Sequence, residues 1–207
     1  MNIAIFKKAA ALAVLMVASS AQAAVPNLIT NGDFEATSGL ITGDFMTFLN
    51  GSSGITGWDI GATSVDLIKN SYNAINVTSV DMLGTPGPGQ ISQSFGALAG
   101  TVYTLGFDLG RNPFSHGADV TVNFGDQTGS FSGNNLVAHY TMSFTAQTSA
   151  ASLLSFASVG GDGYSGAVLD NVSVTSVPEP ETYALLLAGL GFIGFTTRRK
   201  AAAKTAA

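Results

Sequence analysis

The stretch YTLGFDL, residues 103–109, places an apolar side chain at every second position, with Thr104, Gly106 and Asp108 between them. A period of two is typical of a β-strand that buries one face and leaves the other in contact with solvent. The same alternation recurs in three later segments, at residues 120–124, 140–146 and 168–174. The middle of the chain is therefore predicted to form half-buried strands.

Shorter strand candidates lie between breaks rich in glycine, asparagine and proline, such as GTPGPG at residues 84–89. They are residues 57–60, 64–68, 76–83, 89–95 and 153–157. About nine strands without a convincing amphipathic helix predict an all-β domain over residues 24–176. We expect an antiparallel β-sandwich of the jelly-roll type.

The N-terminal segment has the features of a secretory signal peptide. Two lysines precede an apolar run at residues 9–18, and Ala21 and Ala23 supply the small side chains that signal peptidase requires. Residues 1–23 are therefore predicted to be removed, so that the mature chain begins at Ala24.

The C-terminal end combines Pro178-Glu179-Pro180 with an apolar stretch and the basic triplet at residues 198–200. This order resembles the PEP-CTERM sorting signal, which directs bacterial proteins to an exosortase. The resemblance implies a sorting signal at residues 177–200 that contains a single transmembrane helix at residues 183–197. Residues 201–207 would then form a short cytoplasmic tail.

The apolar stretch is short for a transmembrane helix. Fifteen residues reach only about 22 Å as a helix, which is less than the roughly 30 Å hydrocarbon core of a bilayer. A short anchor favours a segment that is removed by processing. The alternative is a permanent single-pass anchor.

The net charge of the predicted β-domain, which we call the body, restricts its possible partners. Between residues 24 and 175 only Lys69 and Arg111 are basic, against eleven acidic residues, which gives a net charge of about −9. Such a domain is repelled by phosphate backbones, so nucleic acid is not an expected partner. The basic triplet behind the last apolar segment places the body outside the cytoplasmic membrane. We expect an exported protein at the surface or in the matrix of a Gram-negative-type bacterium, transiently anchored in the inner membrane.

Six segments of the body follow one another in a distinctive order. They are NLITNGDFE at 27–35, GW at 57–58, VDLI at 65–68, GQISQSF at 89–95, YTLGFD at 103–108 and LDNV at 169–172. This order resembles the secreted choice-of-anchor C family, which is similar to galactose-binding-like jelly rolls of the DUF642 type. The resemblance implies a surface or matrix protein that associates with glycans. The insert at residues 38–53 departs from the family pattern, so no geometry is inferred there.

The resemblance also implies a structural calcium ion that ties the first and last strands together through Glu35 and Asp170. Asp170 is in phase with Val168, Val172 and Val174 and is therefore predicted to face inward. A carboxylate in such a position must be paired, hydrogen-bonded or bound to a metal. The alternative is that Asp170 caps a backbone turn and that Glu35 is solvated.

Sugar binding usually requires an aromatic platform, and three loop residues are candidates for it: Tyr72, Phe114 and Tyr164. Loops at the end of a rigid sandwich are where binding residues concentrate. Trp58, the single tryptophan, follows a glycine in a short strand and is predicted to belong to the core. The alternative for each loop residue is an ordinary surface aromatic.

No pattern typical of catalysis is present in the sequence. The acidic residues show no spacing that singles out a glycosidase pair, and His116 and His139 belong to no metal-ligand motif. We therefore predict a non-catalytic protein. Two classes of function stay open: a matrix protein that binds exopolysaccharide or another glycan, and a purely structural or adhesive matrix protein.

Overall fold

A computed structural model describes residues 25–160, 163–177 and 186–194. Within these residues the chain forms eleven β-strands and two short 3₁₀ helices, at Glu35–Leu40 and Asn70–Tyr72. The strands are β1 (Phe45–Leu49), β2 (Asp59–Ala62), β3 (Ser64–Ile68), β4 (Ser79–Asp81), β5 (Gly89–Ala97), β6 (Val102–Arg111), β7 (Asp119–Phe124), β8 (Gln127–Ser132), β9 (Ala138–Thr145), β10 (Ala150–Val159) and β11 (Ala167–Val177).

The strands form two antiparallel sheets. The six-stranded sheet has the order β1-β3-β4-β11-β6-β9, and the five-stranded sheet has the order β2-β5-β10-β7-β8. Two of the long ladders pair β11 with β6 and β10 with β5, strands that are far apart in the sequence. The predicted all-β antiparallel sandwich is confirmed.

The core lies between the inner faces of the two sheets. Phe107 of β6 packs edge-on against Phe156 of β10, with ring centroids 5.2 Å apart. Trp58 is 2% exposed and joins this cluster, and its Nε1 donates a hydrogen bond to the carbonyl oxygen of Asn31 at 3.0 Å. Trp58 is therefore a core residue, as its position after a glycine predicted.

Two strands were not predicted, and both lie at the edge of a sheet. β1 falls within the insert for which no geometry was inferred, and β8 carries only one large apolar side chain, Phe131. An edge strand packs against one neighbour and tolerates polar side chains on both faces, which explains the weak period-two pattern of β8. The prediction of about nine strands was therefore too low.

A bulge in β11 changes the direction in which Asp170 points. The pairing with β6 shifts between Asp170 and Ser173, and Asn171 adopts the left-handed conformation with φ 51°. Val172 and Val174 join the core cluster, whereas the register partner of Asp170 lies on the opposite face of the sheet. The prediction that Asp170 faces inward with Val172 and Val174 is wrong, because the extra residue of the bulge reverses the alternation.

The described part of the C-terminal segment is a helix at residues 186–194 with exposed side chains. Among the helices that the structure describes, none is long and apolar enough to cross a membrane. Three of the sequence predictions lie outside the described residues: the signal peptide with Ala21 and Ala23, the motif Pro178-Glu179-Pro180, and the remainder of the predicted span at 183–197.

Candidate functional site

The face of the six-stranded sheet that points away from the core carries a pocket of about 220 Å³. We call it the aromatic pocket. It is lined by Phe45, Asp66, Ile68, Tyr72, Asp81, Thr85, Asn112, Tyr164 and Ser165. Strands β1, β3 and β4 supply its floor, and its rim comes from the loops after β3, after β4, after β6 and before β11. The pocket therefore joins four loops above a rigid sheet.

Aromatic side chains surround this pocket. The ring of Tyr72 meets Phe45 edge-on at 5.6 Å and Phe114 at 6.0 Å. Phe45, Phe114 and Tyr164 are 44%, 65% and 59% exposed. The structure thus brings two of the predicted aromatics, Tyr72 and Tyr164, into one pocket and places the third, Phe114, against Tyr72. Phe45 was missed, although the apolar run FMTFL at residues 45–49 could have revealed its strand.

A short 3₁₀ helix positions Tyr72. The backbone N–H of Tyr72 donates to the carbonyl oxygen of Lys69 at 2.9 Å, and the helix ends at Asn73 in the left-handed conformation with φ 62°. The N–H of Lys69 in turn donates to Asp44 at 2.8 Å, beside the start of β1. This chain of hydrogen bonds holds Tyr72 next to Phe45.

Two carboxylates lie on the floor of the aromatic pocket. Asp66 of β3 and Asp81 of β4 are register partners, and both point away from the core because the residues on either side of each belong to it. Asp66 accepts hydrogen bonds from the N–H of Thr85 at 3.2 Å and from the hydroxyl of Thr85 at 3.1 Å. Sequence reasoning missed both acids, because their pairing depends on strand register.

Asp81 ties together the loops that form the rim. Its Oδ1 accepts from the N–H groups of Leu83 at 3.0 Å and Gly166 at 2.8 Å, and its Oδ2 accepts from Nδ2 of Asn112 at 2.7 Å. Asn112 Oδ1 accepts from the N–H of Phe114 at 3.0 Å. The position of Phe114 therefore depends on Asp81 through Asn112.

The burial of Asp81 also changes its pKa. Removal from water raises the pKa of Asp81 from 3.8 to about 7, and the nearby charge of Asp66 adds to the increase. The hydrogen bonds from Leu83, Asn112 and Gly166 oppose it, because they stabilise the ionised form. Asp81 therefore gains or loses its proton near neutral pH.

A second polar cluster contains the residues predicted to bind calcium. Asp170 is completely buried and accepts hydrogen bonds from Ser79 Oγ at 2.9 Å, from Asn76 Nδ2 at 3.3 Å and from the N–H of Asn171 at 2.6 Å. All three donors are neutral groups, and the bond from Asn171 comes from the adjacent residue at the bulge.

Glu35 is half-buried rather than solvated. Its Oε1 accepts hydrogen bonds from the N–H groups of Val77 at 3.1 Å and Thr78 at 3.0 Å. Glu35 therefore fastens the first motif of the body to the loop that precedes β4, and it is close enough to Asp170 for its charge to act on that carboxyl group.

Acidic groups around Asp170 act on one another electrostatically. Burial, with a smaller contribution from the charges of Glu35 and Asp33, raises the pKa of Asp170 to about 6, although the hydrogen bonds from Asn171 and Ser79 oppose the increase. A divalent cation would relieve this repulsion, and oxygen donors are the ligands that calcium prefers. However, the described residues hold no group of three acidic, histidine or cysteine side chains able to bind a metal ion. A calcium ion there would need backbone or amide oxygens in addition to Glu35 and Asp170.

Two family models match the chain, one over the body and one over the segment that follows it. The family model described as "Protein of unknown function (DUF642)" matches residues 27–175, and the model of the PEP-CTERM protein-sorting motif matches residues 176–200. Both resemblances stated from the sequence are confirmed. Halomucin of Haloquadratum walsbyi is 30% identical over 170 residues, which are 78% of this chain. The match spans 2% of the length of halomucin.

Solved structures with similar folds include carbohydrate-binding modules and an enzyme. A CBM4 structure is 16% identical, with a TM-score of 0.42, and the match covers 72% of this chain and 99% of that chain. A family 16 carbohydrate-binding module is 16% identical over 72% of this chain and 99% of its own, with a TM-score of 0.46. An arabinose-bound α-L-arabinofuranosidase is 12% identical over 72% of this chain and 26% of its own, with a TM-score of 0.47.

Proposed function

The chain belongs to the DUF642 family, and we propose that it is a non-catalytic protein of the cell surface or extracellular matrix that binds a glycan in the aromatic pocket. The PEP-CTERM protein-sorting motif at residues 176–200 makes it an exported protein. The proposed glycan is exopolysaccharide of the producing bacterium, which is of the Gram-negative type. Signal peptidase and an exosortase are the proposed processing partners, with the C-terminal segment as a transient anchor in the inner membrane.

The observation that carries the proposal is the cluster of exposed aromatic rings above a polar floor. Phe45, Phe114 and Tyr164 expose about half of their surface or more, although each would be more stable in contact with an apolar partner. Sugar rings present C–H groups that pack on aromatic faces and hydroxyl groups that donate to carboxylates. The pocket offers both kinds of contact, with Asp66 and Asp81 below the rings.

The arrangement of the two acids supports a binding role rather than glycoside hydrolysis. A general acid must deliver a proton to the leaving group. Both oxygens of Asp81 already accept hydrogen bonds from Leu83, Gly166 and Asn112, so this carboxyl group organises the loops. Asp66 is engaged with Thr85 in a similar way.

A pull-down on the producer's own exopolysaccharide, combined with a glycan array, tests the proposal. We expect the exported protein to bind, and Tyr72→Ala and Tyr164→Ala each to weaken binding about tenfold through loss of aromatic contact. Leu98→Ala is the matched control, since Leu98 is 64% exposed and lies beyond the opposite end of β6. Absence of binding to every glycan, with intact folding, would favour the purely structural or adhesive matrix role.

A structural calcium ion at Glu35 and Asp170 also remains a proposal. It is supported by the mutual repulsion of Asp170, Glu35 and Asp33 and by the complete burial of Asp170. An ion at this point would join the first motif of the body to β11.

A further inference from the structure

The carboxylates of the aromatic pocket are not matched by positive charge. Asp66 and Asp81 are 4% and 1% exposed, and all of their hydrogen bonds come from neutral amide and hydroxyl groups. None of the described residues that line the pocket is basic. Among the described residues, the contact of a carboxylate with a basic side chain is that of Asp108 Oδ1 with His139 Nδ1 at 2.6 Å, which is not part of this pocket. The negative charge on the floor of the pocket is therefore greatest above about pH 7, where Asp81 has lost its proton.

The two basic side chains of the body are occupied elsewhere. Nζ of Lys69 donates to the carbonyl oxygen of Ile41 at 3.0 Å, and Nη2 of Arg111 donates to Oδ1 of Asn135 at 2.8 Å. Neither is positioned to neutralise Asp66 or Asp81. A ligand group that carries positive charge would supply the missing partner.

Aromatic rings above this floor favour the same kind of ligand. The faces of aromatic rings carry partial negative charge and attract ammonium groups, more strongly when the site is partly removed from water. Phe45, Tyr72 and Tyr164 stand around the two carboxylates. An uncharged sugar gains contact with the rings and neutral hydrogen bonds, whereas an ammonium group also gains the attraction of its charge to the rings and the acids.

On these grounds we propose that the aromatic pocket binds a sugar unit that carries a positively charged amino group, so that the protein prefers glycans with non-acetylated amino sugars. This inference rests on the proposed glycan-binding function and specifies its ligand. Acidic sugars are disfavoured, because a uronate or sulfate would meet two like charges in a body of net charge about −9.

The size of the pocket fits one such unit. Its volume of about 220 Å³ is below the roughly 300–1,000 Å³ of sites that enclose a whole drug-sized molecule. One amino sugar would enter, and the rest of the chain would continue over the exposed rim at Phe114.

A pair of matched oligosaccharides tests the preference in the exported protein. Oligomers of N,N,N-trimethylglucosamine carry a permanent charge, and oligomers of N-acetylglucosamine of equal length carry none. By calorimetry at pH 8 and low salt, we expect the charged oligomer to bind at least about tenfold more tightly. Equal affinities for the two, together with loss of binding in Tyr72→Ala, would overturn the preference and leave glycan binding intact.

Asp66→Asn is the variant that isolates the charge. The amide can keep both contacts with Thr85, because its oxygen accepts from the N–H and its nitrogen donates to the hydroxyl. We expect the ratio of the two affinities to fall about tenfold, because Asp66→Asn removes the attraction of the charge and so weakens binding of the charged oligomer more than binding of the N-acetyl oligomer. Asp126→Asn removes the same charge from the exposed turn between β7 and β8 and should leave the preference unchanged.

Other results of these experiments would contradict the assignment of the pocket or of its ligand. If Asp126→Asn lowers the preference as much as Asp66→Asn, the attraction belongs to the acidic body in general and the pocket assignment is wrong. Choline that binds as tightly as the charged oligomer would overturn the assignment to a sugar. Failure of every glycan to bind the folded protein would remove the proposed function, and this inference with it. Should Asp66→Asn not fold, the two oligomers still decide the preference in the unaltered protein.

Discussion

Asp66 and Asp81 lie directly opposite each other on β3 and β4, both turned away from the core and both almost completely buried. Like charges in this position destabilise a sheet. The structure accommodates them by giving each acid several neutral hydrogen-bond donors from the loops above. The pair therefore links the stability of the sheet to the geometry of the aromatic pocket.

Stability should fall as the pH rises toward neutrality, and Asp81 should cause part of the change. Its pKa is about 7 in the folded protein and near 3.8 when unfolded, so the folded state holds more protons between these values. The free energy of unfolding then decreases from about pH 4 to about pH 7, by up to roughly 1.4 kcal/mol per pH unit. Above pH 7 this contribution is constant.

Asp81→Asn should flatten that slope. The effect of Asp81 on this slope is easiest to isolate between pH 6 and 7. The pKa of Asp170 is about 6, so the contribution of Asp170 to the pH dependence of stability is largely complete above that pH. Urea denaturation at pH 5, 6, 7 and 8 measures the slope, and Asp126→Asn should retain the wild-type value. Identical slopes in the wild type and Asp81→Asn would show that Asp81 titrates normally.

Gly32→Ala should strongly destabilise the sandwich. Gly32 pairs with β11 through its carbonyl oxygen, which accepts from the N–H of Val172 at 2.8 Å, and a Cβ at this position would overlap the carbonyl oxygen of Val172. The backbone must separate to admit it, at a cost of about 2–4 kcal/mol. We expect the melting temperature to fall by roughly 5–15 °C in a thermal scan.

Gly96→Ala is the matched control for Gly32→Ala. Gly96 lies in β5, and a Cβ there would meet no atom within 4 Å. This change should leave the melting temperature unchanged or raise it slightly, because alanine loses less backbone entropy on folding. A similar decrease in both variants would contradict the close approach of the first motif to β11.

The sequence correctly predicted those strands in which the alternation of apolar and polar residues matches the alternation of buried and exposed positions in the structure. β6, β7 and β9 place apolar residues toward the core at every second position, so their pattern and their burial agree. The prediction for Asp170 in β11 was wrong, because the bulge residue Asn171 turns the side chain of Asp170 to the other face of the sheet while the sequence around it still reads as a regular strand. No local pattern distinguishes such a bulge from a regular strand.

The candidate site was predictable only in part. Tyr72, Phe114 and Tyr164 stood out because aromatics are unusual in polar loops, and the fold brings them together. Asp66 and Asp81 did not stand out, since their proximity results from the pairing of β3 with β4. Their burial results from hydrogen bonds with loops that are distant in the sequence, such as the loop that contains Gly166.

Processing at both ends can be checked by intact-mass analysis of the extracellular protein. We expect a mature chain that begins at Ala24 and ends near Pro178-Glu179-Pro180, consistent with the sorting motif matched at residues 176–200. Replacement of these three residues by alanine should leave a membrane-associated precursor. A secreted product that retains residues 183–197 would instead indicate a permanent anchor.

Removal of calcium should lower the melting temperature if the ion joins Glu35 to Asp170. A ligand that binds only the folded state stabilises it by about 2.7 kcal/mol at a hundred times its dissociation constant. For a domain of this size, EDTA should therefore lower the melting temperature by several degrees. Glu35→Gln and Asp170→Asn should each melt lower in calcium and lose their response to EDTA, because both keep the side-chain shape while removing the charge that holds the ion.

Asp126→Asn serves as the control for the calcium experiment, because it removes one charge from an exposed turn and should keep the full response to EDTA. Elemental analysis must first show that EDTA has removed all bound metal. A wild-type protein that is then free of metal and melts at an unchanged temperature has no structural calcium. In that case the hydrogen bonds from Ser79, Asn76 and Asn171 suffice to hold Asp170, and those from Val77 and Thr78 suffice for Glu35.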